Sequence, residues 1–135
     1  MELTIRVAKS SDILDVIRIL DASLLECDRL RITGIIDKEF DRSAVYVAER
    51  EGQILGTLVL DRGTISALAV RRHHRHCGIG QSLVKTCLAA YDTVEATFDS
   101  GLCPFYRSLG FTITSRCSDR YRAIHHSGSS DSLDQ

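Results

Sequence analysis

The sequence predicts a single mixed α/β (α+β) domain. Three observations predict it: strand-like and helix-like segments alternate along the chain, a glycine loop follows one strand and opens a helix, and the composition suits one continuous core. Of the 135 residues, 44% are hydrophobic and 26% charged, the balance of an ordinary globular domain. Formal net charge is −1, so no global field points to nucleic acid or an anionic membrane. No apolar run approaches the roughly 20 residues that span a bilayer. Met1 to Lys9 lacks the apolar stretch of a secretory leader. The five cysteines, Cys27, Cys77, Cys87, Cys103 and Cys117, are odd in number and form no C-x-x-C pair, which speaks against a disulfide framework or a structural zinc site. A reduced, cytoplasmic setting is expected.

The elements follow in order. Leu3, Ile5 and Val7 alternate with polar residues as in a half-buried strand. Ser10 and Ser11 are expected to cap a helix, with Asp12 in its first turn. Ile13, Val16, Ile17, Leu20 and Leu24 mark its buried face, and the helix is expected to end near Cys27. Ile35 and Ile36 fall in a short second helix before Asp41. A three-strand meander then runs through Val45 to Arg50, Gln53 to Leu60 and Thr64 to Val70, with turns at Glu51-Gly52 and Asp61-Arg62-Gly63. Both faces of the second strand are apolar, which places it centrally. The helix opened by the glycine loop presents Gly80, Leu83, Val84, Cys87, Leu88 and Tyr91 on one face. Thr93 to Phe98 is another strand, Leu102 to Leu109 a short helix stopped by Gly110, and Phe111 to Ile113 and Tyr121 to Ile124 the last strands. The domain is expected to span 1–125, with 126–135 a polar, disordered tail.

The segment Val70 to Leu83 carries the most chemistry. Gly78 and Gly80 let a ligand approach the backbone, and the free N–H groups of the first helical turn make an anion site suited to a pyrophosphate. Arg71, Arg72 and Arg75 add positive charge. No G-K-[ST] follows, which excludes a P-loop, and Leu83 stands where a dinucleotide fingerprint needs its third glycine.

Arg75-x-x-Gly78-x-Gly80, directly after Leu68-Ala69-Val70, resembles the acetyl-CoA signature [RQ]-x-x-G-x-[GA] of the GNAT superfamily. Pro104-Phe105-Tyr106-Arg107-Ser108-Leu109-Gly110-Phe111 is similar to that family's F-Y-x-x-x-G-F segment. The resemblance implies a mixed, mostly antiparallel sheet of six to seven strands with about four helices, and an N-acetyltransferase using acetyl-CoA as co-substrate. It assigns the CoA pyrophosphate to the amides of His76, Cys77, Gly78, Ile79, Gly80 and Gln81, with Arg75 and Ser82 beside them. It gives pantetheine to the backbone of Leu68, Ala69 and Val70, next to Phe105. It makes Tyr106 the acid that protonates the departing thiolate, since a phenol keeps its proton at neutral pH. A non-catalytic acyl-CoA-binding module of the same fold is the alternative.

The chain departs from that pattern in places. His76 stands at a usual glycine, Asp99 at a frequent asparagine, and Pro104 sits early in its helix. Thr64 to Val70 contains no glutamate to act as base. Glu49, Asp61 and Glu95 lie on neighbouring strands, and each reads as an ordinary surface carboxylate, so no base is assigned. His73, His74, His76 and Cys77 crowd too closely to close a tetrahedral site, and no metal is expected. The resemblance shapes the acceptor site from about residues 24–43 and 114–124. Glu26, Asp28, Asp37, Glu39, Asp41 and Asp119 there would attract a cationic amine, and neighbouring arginines would repel one. The expected partners are acetyl-CoA and a small-molecule or peptide amine, not nucleic acid or membrane, in a monomer or a homodimer formed through an edge such as Phe111 to Ser115.

Overall fold

A computed structural model describes residues 2–23, 28–38 and 40–126. Its strands are β1 (Thr4–Val7), β2 (Ala44–Arg50), β3 (Gln53–Asp61), β4 (Thr64–Val70), β5 (Thr93–Asp99), β6 (Thr112–Cys117) and β7 (Arg120–His126). Its helices are α1 (Ile13–Ala22), α2 (Arg29–Ile36), α3 (Ile79–Ala90) and α4 (Cys103–Ser108). The seven strands form one sheet in the order β1-β2-β3-β4-β5-β7-β6. All neighbours are antiparallel except β4 and β5, which run parallel.

The start of α1 differs from expectation. Neither Ser10 nor Ser11 caps the helix. A 3₁₀ turn over Ser10–Asp12 comes first, and Asp12 reaches back to the Lys9 amide at 2.8 Å and to Arg6 Nη1 at 2.7 Å. A carboxylate bonded to a guanidinium outcompetes a hydroxyl for this place. The Arg6 hydrogen bond holds the Asp12 carboxyl below its usual range. Along α1, Val16, Ile17 and Leu20 are buried as their spacing predicts, and Ile19 joins them because α2 brings Ile32, Ile35 and Ile36 against it. Leu24 and Cys27, where the helix end was expected, lie outside the described residues.

Two core clusters cover the two faces of the sheet. On one, α3 and α4 pack Leu83, Cys87 and Tyr106 onto Tyr46, Leu58 and Phe98. On the other, α1 and α2 pack Ile19 and Ile35 onto Val45, Val47 and Val59. β3 belongs to both, and every residue from Ile54 to Leu60 is buried. Gly56 lets α3 come close: a Cβ there would stand 3.1 Å from both the Ala69 carbonyl oxygen and Ile79 Cγ2.

Two irregularities shape the centre. The β3–β4 register shifts between Val59 and Leu60, so Ser66 is an extra residue on β4. Past it, Leu68 and Val70 turn toward the α3 face while Ala67 and Ala69 turn toward α1 and α2. β4 and β5 then separate, their register holding only at Thr64↔Glu95 and Ile65↔Ala96. Beyond that point β3 is the one strand paired with β4 among the described residues, which leaves its other edge open to them. At the far end, β7 continues through His126, opposite Thr93. Residues 127–135, the rest of the expected tail, lie outside the described residues.

Candidate active site

The head of α3 shows why the loop holds its shape. His76 adopts φ 65° and Gly78 φ 83°, both left-handed. Glycine takes that conformation without strain, whereas a side chain there costs about 1 kcal/mol. The first backbone bond of the helix runs from the Ser82 amide to the Gly78 oxygen at 3.0 Å. Among the described residues, no amide from His76 through Gln81 donates to a protein acceptor. Successive unbonded N–H groups at a helix start make an anion-binding concavity.

A cavity of about 500 Å³ opens at this point. Its polar end is formed by Arg75, His76 and the segment Gly78–Gln81; its apolar walls are Leu68 and Val70 from β4 and Phe105 from α4. The structure thus brings together nine of the twelve residues expected around the cofactor. Ala69 points to the opposite sheet face, Cys77 is exposed with its thiol toward the Arg75 oxygen, and Ser82 is drawn into the helix. His74 and Leu102 also line the cavity. Neither was marked in advance, for His74 carried only the signal of a crowded histidine tract and Leu102 that of an apolar residue in a break.

Tyr106 lies behind Phe105, and its ring is not on the cavity wall. It is 2% exposed. It stacks on Phe98 at 4.4 Å and meets the edges of Phe105 and Phe111 at 5.0 and 5.1 Å. Burial pushes its pKa upward, with the Cys87 thiol adding a smaller push, so the phenol keeps its proton across neutral pH. The Cys87 thiol is itself raised to about 12 by burial.

The three carboxylates weighed as bases are all engaged. Glu49 accepts from Arg6 at 2.8 Å, Asp61 from Arg31 Nε at 3.0 Å, and Glu95 from Arg122 at 2.7 Å. Asp99 accepts from Arg120 at 3.0 Å. Glu95 stands where β4 and β5 part, and Asp99 at the open end of the same strand. No group of three or more His, Cys, Asp or Glu among the described residues is placed to hold a metal ion. No described helix is long and apolar enough to cross a membrane.

Residues 41–113, more than half of the chain, match the acetyltransferase (GNAT) domain family. The chain belongs to the GNAT acetyltransferase family. Its fold is that of solved family members. It is similar to a GNAT family acetyltransferase from Elizabethkingia anophelis, solved with acetyl-CoA bound, at 20% identity and a TM-score of 0.69 over 92% of this chain and 97% of that one. It is similar to a GNAT family acetyltransferase from Bacillus cereus at 16% identity and a TM-score of 0.75, over 94% of this chain and 99% of that one. The ribosomal-protein-S18-alanine N-acetyltransferase of Escherichia coli aligns at 13% identity and a TM-score of 0.75, over 98% and 99% of the two chains. At these identities the likeness is one of fold. No curated protein sequence matches the chain. The seven-stranded sheet with its parted β4 and β5 and the glycine loop at the head of α3 are the features that adjoin the cavity of about 500 Å³.

Proposed function

We propose that the protein is an acetyl-CoA-dependent N-acetyltransferase that passes the acetyl group directly to an amine in a ternary complex. The observation that carries this reading is the row of unbonded amides from His76 to Gln81 beside the open edge of β4. The amides suit the CoA diphosphate, and the unpaired backbone of Leu68, Ala69 and Val70 suits the amides of pantetheine, one of them polarising the thioester carbonyl. Tyr106 is the proposed acid: the amine nitrogen bonds to the acetyl carbon, the C–S bond breaks, and the phenol protonates the departing thiolate. The nitrogen's surplus proton leaves through water and restores the phenol, which is buried and protonated at neutral pH. With Glu49, Asp61, Glu95 and Asp99 in ion pairs, positioning of a neutral amine carries the attack.

Calorimetric titration with acetyl-CoA, with ATP and NAD as controls, tests the cofactor. Saturable micromolar binding is expected, and Gly80→Leu should abolish it in a folded protein by filling the cavity. Binding of ATP or NAD in place of acetyl-CoA would end the proposal. For the acid, Tyr106→Phe is expected to lower turnover by about 100-fold while leaving acetyl-CoA affinity unchanged; unchanged turnover would remove Tyr106 from the mechanism. The ion-paired carboxylates and the placement of Tyr106 behind Phe105 favour a second reading, a module that binds acyl-CoA without transfer. Turnover of acetyl-CoA with an amine panel separates the two.

A further inference from the structure

A second and larger cavity, about 640 Å³, lies against the C-terminal end of α1. Ile19, Ala22 and Val70 give it apolar surface, Ser23 and Gln53 polar atoms, and residues 71–75 a basic wall. None of the amides of Gly78–Gln81 borders it. Val70, His74 and Arg75 border both cavities, so a ligand here reaches the end of β4 from the side opposite the α3 loop.

The described lining of this cavity carries formal charge of one sign. Arg71, Arg72 and Arg75 line it, and no carboxylate is among its described lining residues. The whole chain carries a net charge of only −1, so this wall is more basic than the chain as a whole. Two of the arginines build the wall: Arg71 Nε donates to the Ile54 oxygen at 2.7 Å and Arg75 Nε to the Val70 oxygen at 3.0 Å. Arg71 also lies 3.8 Å from Asp15 on α1. Arg72 is different. It is exposed, and its guanidinium makes no hydrogen bond or ion pair among the described residues. A guanidinium left free on a cavity wall is suited to a planar or tetrahedral anion.

We infer that this cavity holds the acceptor, and that the acceptor is a small amine which also carries a carboxylate or phosphate. Its anion meets Arg72, its body lies on Ile19 and Ala22, and its amine points to the end of β4. The inference rests on the acetyltransferase reading above and names the substrate class of that reaction. The chemistry of the wall fits one other source, the ribose 3′-phosphate of CoA.

The test uses the full chain, Arg72→Ala and Arg72→Lys. Acetyl-CoA and acetyl-dephospho-CoA, which lacks the 3′-phosphate, are titrated into each. Glutamate, 4-aminobutyrate and glucosamine 6-phosphate are then compared with putrescine and tyramine. The readouts are turnover and the shift of the unfolding midpoint in the presence of CoA. The anionic amines are expected to shift the midpoint and to be acetylated. Arg72→Ala should raise their KM about tenfold or more, Arg72→Lys should restore part of it, and cofactor affinity should not move. Acetylation of putrescine or tyramine as good as that of the anionic amines overturns the inference, as does the absence of any midpoint shift with the anionic set. An Arg72→Ala loss of acetyl-CoA affinity that is missing for acetyl-dephospho-CoA assigns the cavity to the cofactor instead. Failure of acetyl-CoA to bind at all sinks the acetyltransferase reading and this one together, whereas acetyl-CoA binding with turnover of non-anionic amines alone sinks only this one.

Discussion

The two halves of the sheet are built on different terms. β2 and β3 are covered on both faces, by α3 on one and by α1 and α2 on the other, and Ile54 to Leu60 is buried without interruption. Among the described residues, β5, β7 and β6 are covered on one face only. There Val94, Ala96 and Phe98 face α3 and α4, while the alternate residues Glu95, Thr97 and Asp99 carry ion pairs and hydrogen bonds to Arg122 and Arg120 in the open. A strand buried on both faces contributes stability through every residue; a strand buried on one face leaves half its side chains free for recognition. In this chain the fold is secured on one side of the β4–β5 parting and polar groups are displayed on the other.

Substitutions sharpen that contrast. Leu58→Ala, on a residue with no exposed surface, should cost about 3 kcal/mol or more in chemical denaturation; a loss under about 1 kcal/mol would mean the doubly covered half is looser than its burial indicates. Gly56→Val should follow at about 2 kcal/mol, because its side chain would meet the Ala69 carbonyl, which belongs to β4 and cannot yield like a side-chain tip. His76→Gly works the other way, with a gain of about 1 kcal/mol expected from releasing the left-handed strain at φ 65°; unchanged stability would show that the loop absorbs the strain elsewhere. Arg122→Ala, on the open face, should change stability by under about 1 kcal/mol, since both partners of its ion pair with Glu95 are well exposed.

The smallest effect is one of pH. His125 on β7 packs on Phe111, its Nδ1 is buried without a partner among the described residues, and burial holds its pKa below the ordinary imidazole value of about 6.5. An unfolded chain therefore binds the proton more readily than the folded one, and stability should decline as pH falls below about 6.5. Thermal melts of the wild type and His125→Phe across that range check this: the variant should show a flatter dependence.

The sequence made the meander plain, because Glu51-Gly52 and Asp61-Arg62-Gly63 interrupt apolar runs with residues that accept turn conformations, and both glycines take positive φ. The cavity at the head of α3 was legible for the same local reason, as a strand, a glycine loop and a helix start are contiguous in the chain. Features that join distant segments were not. Gly56 reads as a gap in a strand until α3 is placed on it. The ion pair of Glu95 depends on which face of β5 it occupies and on the register with β7. The second cavity needs the end of α1, Gln53 and the loop at 71–75 to converge, and no spacing in the sequence encodes that meeting.

The parting of β4 and β5 also has a kinetic side. The meander β2-β3-β4 closes through tight turns, so its contacts are local and form at little loop-closure cost. The C-terminal strands join it through two register pairs and the α3 crossover, a junction too slight to template their arrival. Assembly should therefore begin in the meander and finish with the docking of β5, β7 and β6. In stopped-flow experiments, Leu58→Ala should act mainly by slowing folding, and Ala123→Gly on β7 mainly by speeding unfolding.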